Sequence, residues 1–197
     1  MRFLVKYGLI LLLSLNLQAE EPAGIVLYFQ DGESTYLLLA DEATEPRGWS
    51  AFGGGGDAGE TVAETAARET EEETRGYFRR DWLLNKLKGR KPVRTNGYNM
   101  FFVEVPFVPA LRVSQNPLEK SSGTAYHERE HFAWVPVSDL EKALQRVKKG
   151  KNKKAKIDPL YLPAASKQKF YWNIWVANMQ DAYAEQACPW QNQESKK

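Results

Sequence analysis

An α/β sandwich, a mixed β-sheet held between helices, is the fold class this sequence predicts. Three observations predict it. Apolar runs of strand length alternate with helical stretches, an Asp-Gly pair joins the first two runs, and a run of glycines turns directly into a helix bearing carboxylates. Alternating strand and helix signals argue for helices packed on both faces of one sheet.

The first strands are Gly24–Gln30 and Thr35–Ala40, joined through Asp31-Gly32, a strong hairpin signal. Asp41–Arg47 is a polar loop, and residues 48–52 form a short strand leading into Gly53–Gly56. Four successive glycines allow positive φ and let the backbone approach a ligand closely. Thr61 followed by Glu64 fits a capping box, and no Gly or Pro interrupts the helix through Thr74. Tyr77–Leu87 mixes aromatics and charges without a clear period.

Pro92–Tyr98 holds an Asn96-Gly97 turn, and Met100–Val105 reads as a buried strand ended by Pro106. Pro109–Tyr126 is a polar loop, of a length that in compact domains is usually functional or mobile. Phe132–Val137 is a further strand, and the residues from Val137 open a helix running to about Lys149. Ala164–Ala187 reads as a last amphipathic helix, with Phe170, Ile174, Trp175 and Met179 spaced to pack on the domain. Residues 188–197 read as a disordered C-terminal tail, which makes 20–187 the folded domain.

Residues 1–19 have the form of a secretory signal: Arg2 and Lys6, an apolar core from Tyr7 to Leu17, and Ala19 as a cleavage residue. They predict an exported protein, periplasmic or secreted, with no stable membrane insertion once the signal is removed. The chain carries 27 basic and 25 acidic residues, so losing Arg2 and Lys6 leaves it near neutral. That balance gives no reason to expect DNA as a partner. Lys148–Lys156 is a basic run that reads as a solvated linker or, failing that, as a polyphosphate contact. Cys188 is the single cysteine and has no intrachain disulfide partner.

On a wheel of about 100° per residue, Glu69, Glu72 and Glu73 share one narrow face of the glycine-loop helix. Glu64 and Glu71 fall on the opposite side, and Ala63, Ala66, Ala67, Thr70 and Thr74 make a small-residue stripe suited to close packing. Like charges three and four apart repel by roughly a few tenths of a kcal/mol per pair. A hard divalent cation removes that penalty, since Mg²⁺ binds carboxylates together with water and substrate phosphates.

Gly54, Glu60, Arg68, Glu69, Glu72 and Glu73 match, at the right spacing, the box of the Nudix hydrolase family, which this stretch resembles. Six fixed matches at a given start have odds on the order of 10⁻⁷ at ordinary residue frequencies. Thr70 replaces the bulky aliphatic of that pattern, Arg75 the late glycine with Gly76 one place on, and Phe52 a frequent proline. These departures touch helix packing and the turn that follows it.

The resemblance implies a Nudix-type α/β/α sandwich and hydrolysis of a phosphoanhydride bond in a nucleoside diphosphate linked to another moiety. It implies Mg²⁺ or Mn²⁺ as cofactor, with Glu69, Glu72 and Glu73 as metal ligands and a small nucleotide-type molecule as substrate. Glu60 and Arg68 are implied as a structural pair, and Gly54 as part of the substrate loop. Trp49 and Phe52 are candidates to stack on a base, or else cover the edge of the core. Glu72 and Glu73 are catalytic candidates, with Glu130 preferred over Glu128 as a general base just before a strand. His127 and His131 lack cysteine partners and make a poor zinc site. The alternative is a non-catalytic Nudix-fold domain that binds or senses a nucleotide, which the departures at Thr70 and Arg75 motivate.

Overall fold

Residues 20–118, 120, 122–147 and 154–191 are described by the computed structural model. The expected signal at 1–19, residues 148–153 of the basic run and residues 192–197 lie outside the described residues. Alternation along the strands decides which helical layer each residue meets. In β1 (Ala23–Asp31), Val26 and Tyr28 face one core while Ile25 and Leu27 face the other. In β2 (Ser34–Glu42), Leu37 and Leu39 oppose Leu38 and Ala40 in the same way. Strands buried on both faces read as continuous apolar runs, which is why the sequence shows them so clearly.

Strand β3 (Phe52–Gly54) pairs antiparallel with the start of β1, and β2 with its end. A hairpin of β4 (Val93–Thr95) and β5 (Tyr98–Glu104) lies on the other side, with β5 parallel to β1. With β6 (Arg129–Pro136) antiparallel to β2, the order is β4-β5-β1-β2-β6 and the sheet is mixed. Helix α1 (Val62–Glu73) and α2 (Arg80–Leu87) cover one face, joined by the short α3 (Ala110–Ser114). Helices α4 (Val137–Arg146) and α5 (Asn173–Ala184) cover the other. The expected α/β/α sandwich is present.

Both expected hairpins form, the first with its loop at Gly32-Glu33, one residue on from the expected Asp31-Gly32, because Asp31 still pairs with Ser34. Asn96 and Gly97 both have positive φ, 49° and 78°, as a two-residue hairpin of the mirror-image type requires. At the start of α1, Thr61 accepts from the Glu64 amide while the Glu64 side chain accepts from the Thr61 amide, completing the capping box. Below it, Gly24 and Gly53 pair across β1 and β3, and the Tyr98 hydroxyl lies where a Cβ on either would stand. That close approach leaves room for nothing larger than glycine.

Several elements differ from expectation. Helix α2 forms although Tyr77–Leu87 shows no clear period, because only Leu83 and Leu87 are buried and its other face is polar. The polar loop at 109–126 contains α3 and a 3₁₀ turn over Thr124–His127. The last helix begins only at Asn173, since Phe170 and Tyr171 form bridges to Lys156 and Trp49, and Ile174 is exposed. Cys188 and Trp190, placed in the tail by composition, are buried in the core beside Tyr28 and Phe102.

Thr70 is fully buried on α1, and its hydroxyl has no hydrogen-bond partner among the described residues. An orphaned buried hydroxyl costs about 1–3 kcal/mol. Thr70→Val keeps the shape and removes that cost, so it is expected to stabilise the protein by about 1 kcal/mol in urea denaturation. Thr61→Ala, which removes the cap, is expected to destabilise it by about 1 kcal/mol in the same measurement.

Candidate active site

The loop after β3 meets the first three turns of α1, and one guanidinium binds the two together. Arg68 donates from Nε to Glu60 Oε1 at 3.0 Å, from Nη2 to the Gly55 carbonyl at 2.8 Å, and from Nη1 to Glu69 and Glu72 at 2.9 and 3.2 Å. Its side chain is largely buried, so these charged partners are poorly screened. Burial raises the Glu60 carboxyl, but hydrogen bonds from Arg68, the Asp57 amide and Thr65 bring it below its ordinary value. Glu60 and Arg68 thus join loop to helix, with Arg80 as an outer partner of Glu60 at 3.4 Å.

Glu69 lies against the loop. A Cβ on Gly54 would come within 2.5 Å of the Glu69 carboxylate, so a glycine here lets the backbone reach the acid. Burial pushes the Glu69 carboxyl up; Arg68 opposes the shift, while Glu72 and Glu128 add to it. The Glu72 carboxyl is also raised, first by burial and then, against Arg68, by Asp57 and Glu128. Glu69 Oε2 and Glu72 Oε1 accept no hydrogen bond among the described residues.

Glu128 is brought here by the segment before β6. The Thr124–His127 turn packs on α1, Arg75 donates to the Tyr126 carbonyl at 3.5 Å, and Asn116 donates to the Arg75 carbonyl at 2.7 Å. Arg75 sits at φ 56°, taking the left-handed conformation in the place of the pattern's glycine, at roughly 1 kcal/mol. Gly76 follows in the same region at φ 70°, so the departure at Arg75 leaves a left-handed exit turn in place.

Glu73 differs from its two neighbours. It is 4% exposed, its Oε2 accepts from the Gly53 amide at 2.8 Å, and its Oε1 accepts from Arg129 at 2.7 and 2.9 Å. Burial pushes its carboxyl up to about 7, against the opposing pull of Arg129 and of the Gly53 amide. Arg129 is itself buried and also faces Glu42 at 3.9 Å.

Three expected site residues are placed elsewhere. Glu130 points away from the box carboxylates: it is exposed, 3.8 Å from His131, and lines a separate cleft of about 340 Å³ with Asp41 and Lys167. Strand alternation is the reason, because Arg129 takes the inward position toward Glu73. Trp49 and Phe52 are 0% and 1% exposed, so neither can stack on a base. The Trp49 indole donates to the Gln168 carbonyl at 3.0 Å, and Phe52 stacks on Phe132 within the core. His131 Nδ1 lies 3.1 Å from Asp41, a buried carboxylate that also accepts from Ser166.

Sequence reasoning overlooked Arg129. Its only signal was its place between two acids at the start of a strand, where one of three successive residues must point inward.

For a divalent cation, the donors that fit are Glu69 and Glu72. Each is desolvated, each has an oxygen without a hydrogen bond, and a third carboxylate charge, that of Glu128, bears on both. Hard carboxylate oxygens of this kind suit Mg²⁺ or Mn²⁺. Glu73 fits less well in this arrangement, since its oxygens already accept three donors, two of them from a buried guanidinium. Among the described residues no group of three His, Cys, Asp or Glu is spaced to enclose a metal by itself.

No curated protein matches the chain. Among solved structures, an Ap4A hydrolase binary complex from C. elegans is similar at 21% identity over 64% of this chain and 84% of that one. The TM-score of that match is 0.36. The NUDIX domain family matches residues 20–160, which takes in the sheet, the glycine loop, α1 and the segment bearing Glu128. The chain belongs to the Nudix hydrolase family.

Proposed function

We propose that this protein is a divalent-metal-dependent hydrolase of a phosphoanhydride bond, acting on a nucleoside diphosphate linked to another moiety. The observation that supports it is the pair of desolvated carboxylates Glu69 and Glu72, with the charge of the exposed Glu128 bearing on both, beside a loop without side chains. Such a set is unfavourable without a cation and favourable with one. Glu69 and Glu72 would hold the metal, Mg²⁺ or Mn²⁺. Bound there, the metal would neutralise phosphate charge and acidify the attacking water.

The remaining work falls to the chain. Arg68 Nη1 holds one oxygen of each metal-facing carboxylate and leaves the other oxygen of each without a hydrogen bond among the described residues. The glycines at 54 and 55 let phosphate oxygens approach loop backbone that a side chain would cover. Glu128, exposed and acting on Glu69 and Glu72 through its charge, is our choice to accept the water proton at a carboxylate oxygen, in place of Glu130. The signal-like residues 1–19 support export, with 20–187 as the core of the folded unit and residues 188–191 packed onto it.

A second reading, a non-catalytic domain that binds a nucleotide, is favoured by the engagement of Glu73 with Arg129. Turnover separates the two. Nucleoside triphosphates, dinucleoside polyphosphates, ADP-ribose, NADH and sugar nucleotides are assayed for phosphate and nucleotide release with Mg²⁺ or Mn²⁺. The hydrolase requires metal-dependent release that Glu72→Gln lowers by about 10²-fold or more while the thermal midpoint holds. Nucleotide binding with no release from any compound supports the second reading. Arg68→Lys keeps the charge but not the fork, so stability is expected to fall by about 1–3 kcal/mol in urea, with a loss of activity.

A further inference from the structure

We propose that Arg129 is a resident cation that withdraws Glu73 from the metal-binding set, so that the divalent ion is held from the Glu69–Glu72 side alone. The inference rests on the metal reading above and concerns which carboxylates serve it. Glu73 sits one turn beyond Glu69 on α1, where the box pattern implies a ligand. Its surroundings oppose that role. One oxygen accepts from the Gly53 amide at 2.8 Å, and the other accepts two donors of Arg129, Nε at 2.9 Å and Nη2 at 2.7 Å.

Both partners of this pair are about 4% exposed at the side chain, so water does not compete for either. The arrangement ties three elements together: β3 through Gly53, α1 through Glu73, and β6 through Arg129. Glu42, on β2, is the next anion facing Arg129, at 3.9 Å. A divalent ion that recruits Glu73 must compete with a buried guanidinium whose next ion-pair partner among the described residues is Glu42. Glu69 and Glu72 share only the Nη1 donor of Arg68 and keep an oxygen each for a metal. Glu73 is therefore a positioning residue that fixes the end of β3, where the glycine loop begins, against α1.

The test is Mn²⁺ binding to the purified protein, followed as loss of the free-ion electron paramagnetic resonance signal, with thermal midpoints recorded alongside. Glu73→Gln, which keeps an oxygen for the Gly53 amide, is expected to bind Mn²⁺ within about threefold of wild type, and Glu69→Gln at least about tenfold more weakly. A loss in Glu73→Gln equal to that in Glu69→Gln overturns the proposal. In Arg129→Met, Glu73 is released, and the rise in thermal midpoint on adding Mn²⁺ is expected to exceed that of wild type. That excess should vanish in the Arg129→Met, Glu73→Gln double variant; no excess in Arg129→Met overturns the role given to Arg129. Should Arg129→Met fail to fold, the comparison of Glu73→Gln with Glu69→Gln decides alone. If wild type binds no Mn²⁺ at millimolar concentration, the metal reading itself falls and this inference with it, a result distinct from wild-type binding that Glu73→Gln abolishes.

Discussion

Everything at this site depends on where the Arg68 guanidinium lies. A planar fork with several fixed donors can hold Glu60, Glu69, Glu72 and the Gly55 carbonyl at once, which an ammonium cannot. Without it the acids of α1 would repel one another, and the glycine loop, which has little side chain to pack, would have no anchor on the helix. The loop supplies flexibility and the guanidinium takes it away again. The combination leaves backbone exposed to a ligand in a defined position.

A second cation, Arg129, divides the acids by depth. Glu73 is paired in the dry layer between α1 and the sheet, while Glu69 and Glu72 lie nearer solvent with their charges only partly met. Buried pairs of this kind seldom add net stability, since desolvation offsets attraction, but removing one partner is costly. The pair is thus better understood as fixing register among β3, α1 and β6 than as a source of stability.

Strands and turns were legible in the sequence because their physics is local. Apolar runs such as Gly24–Gln30 and the Asn96-Gly97 turn carry their signal within a few residues, as does the Thr61–Glu64 cap. Helix α2 was not, since it buries only one residue per turn. At the site, the spacing of Glu69, Glu72 and Glu73 put them on one face, but a wheel carries no information about depth or about what stands opposite. Arg129 lies fifty-six residues from Glu73 and no local pattern links them. Glu128 and Glu130 would share a face of one strand, and they part because Glu128 lies before β6, in the helical turn that ends Thr124–His127. Trp49 and Phe52 were buried by the segment at 168–171 and by β6, contacts of long sequence separation.

The burial of Trp190 reaches beyond the site. Its ring packs edge-on against Tyr28 and Phe102, and its indole donates to the Tyr183 hydroxyl at 2.7 Å. A residue near the end of the chain thereby closes a core begun by the first strand. During synthesis, β1 waits for almost the whole chain before that face is sealed, and loop closure over such a span slows folding. Until Trp190 docks, Tyr28 and Phe102 lack that cover, so this face of the core is completed late.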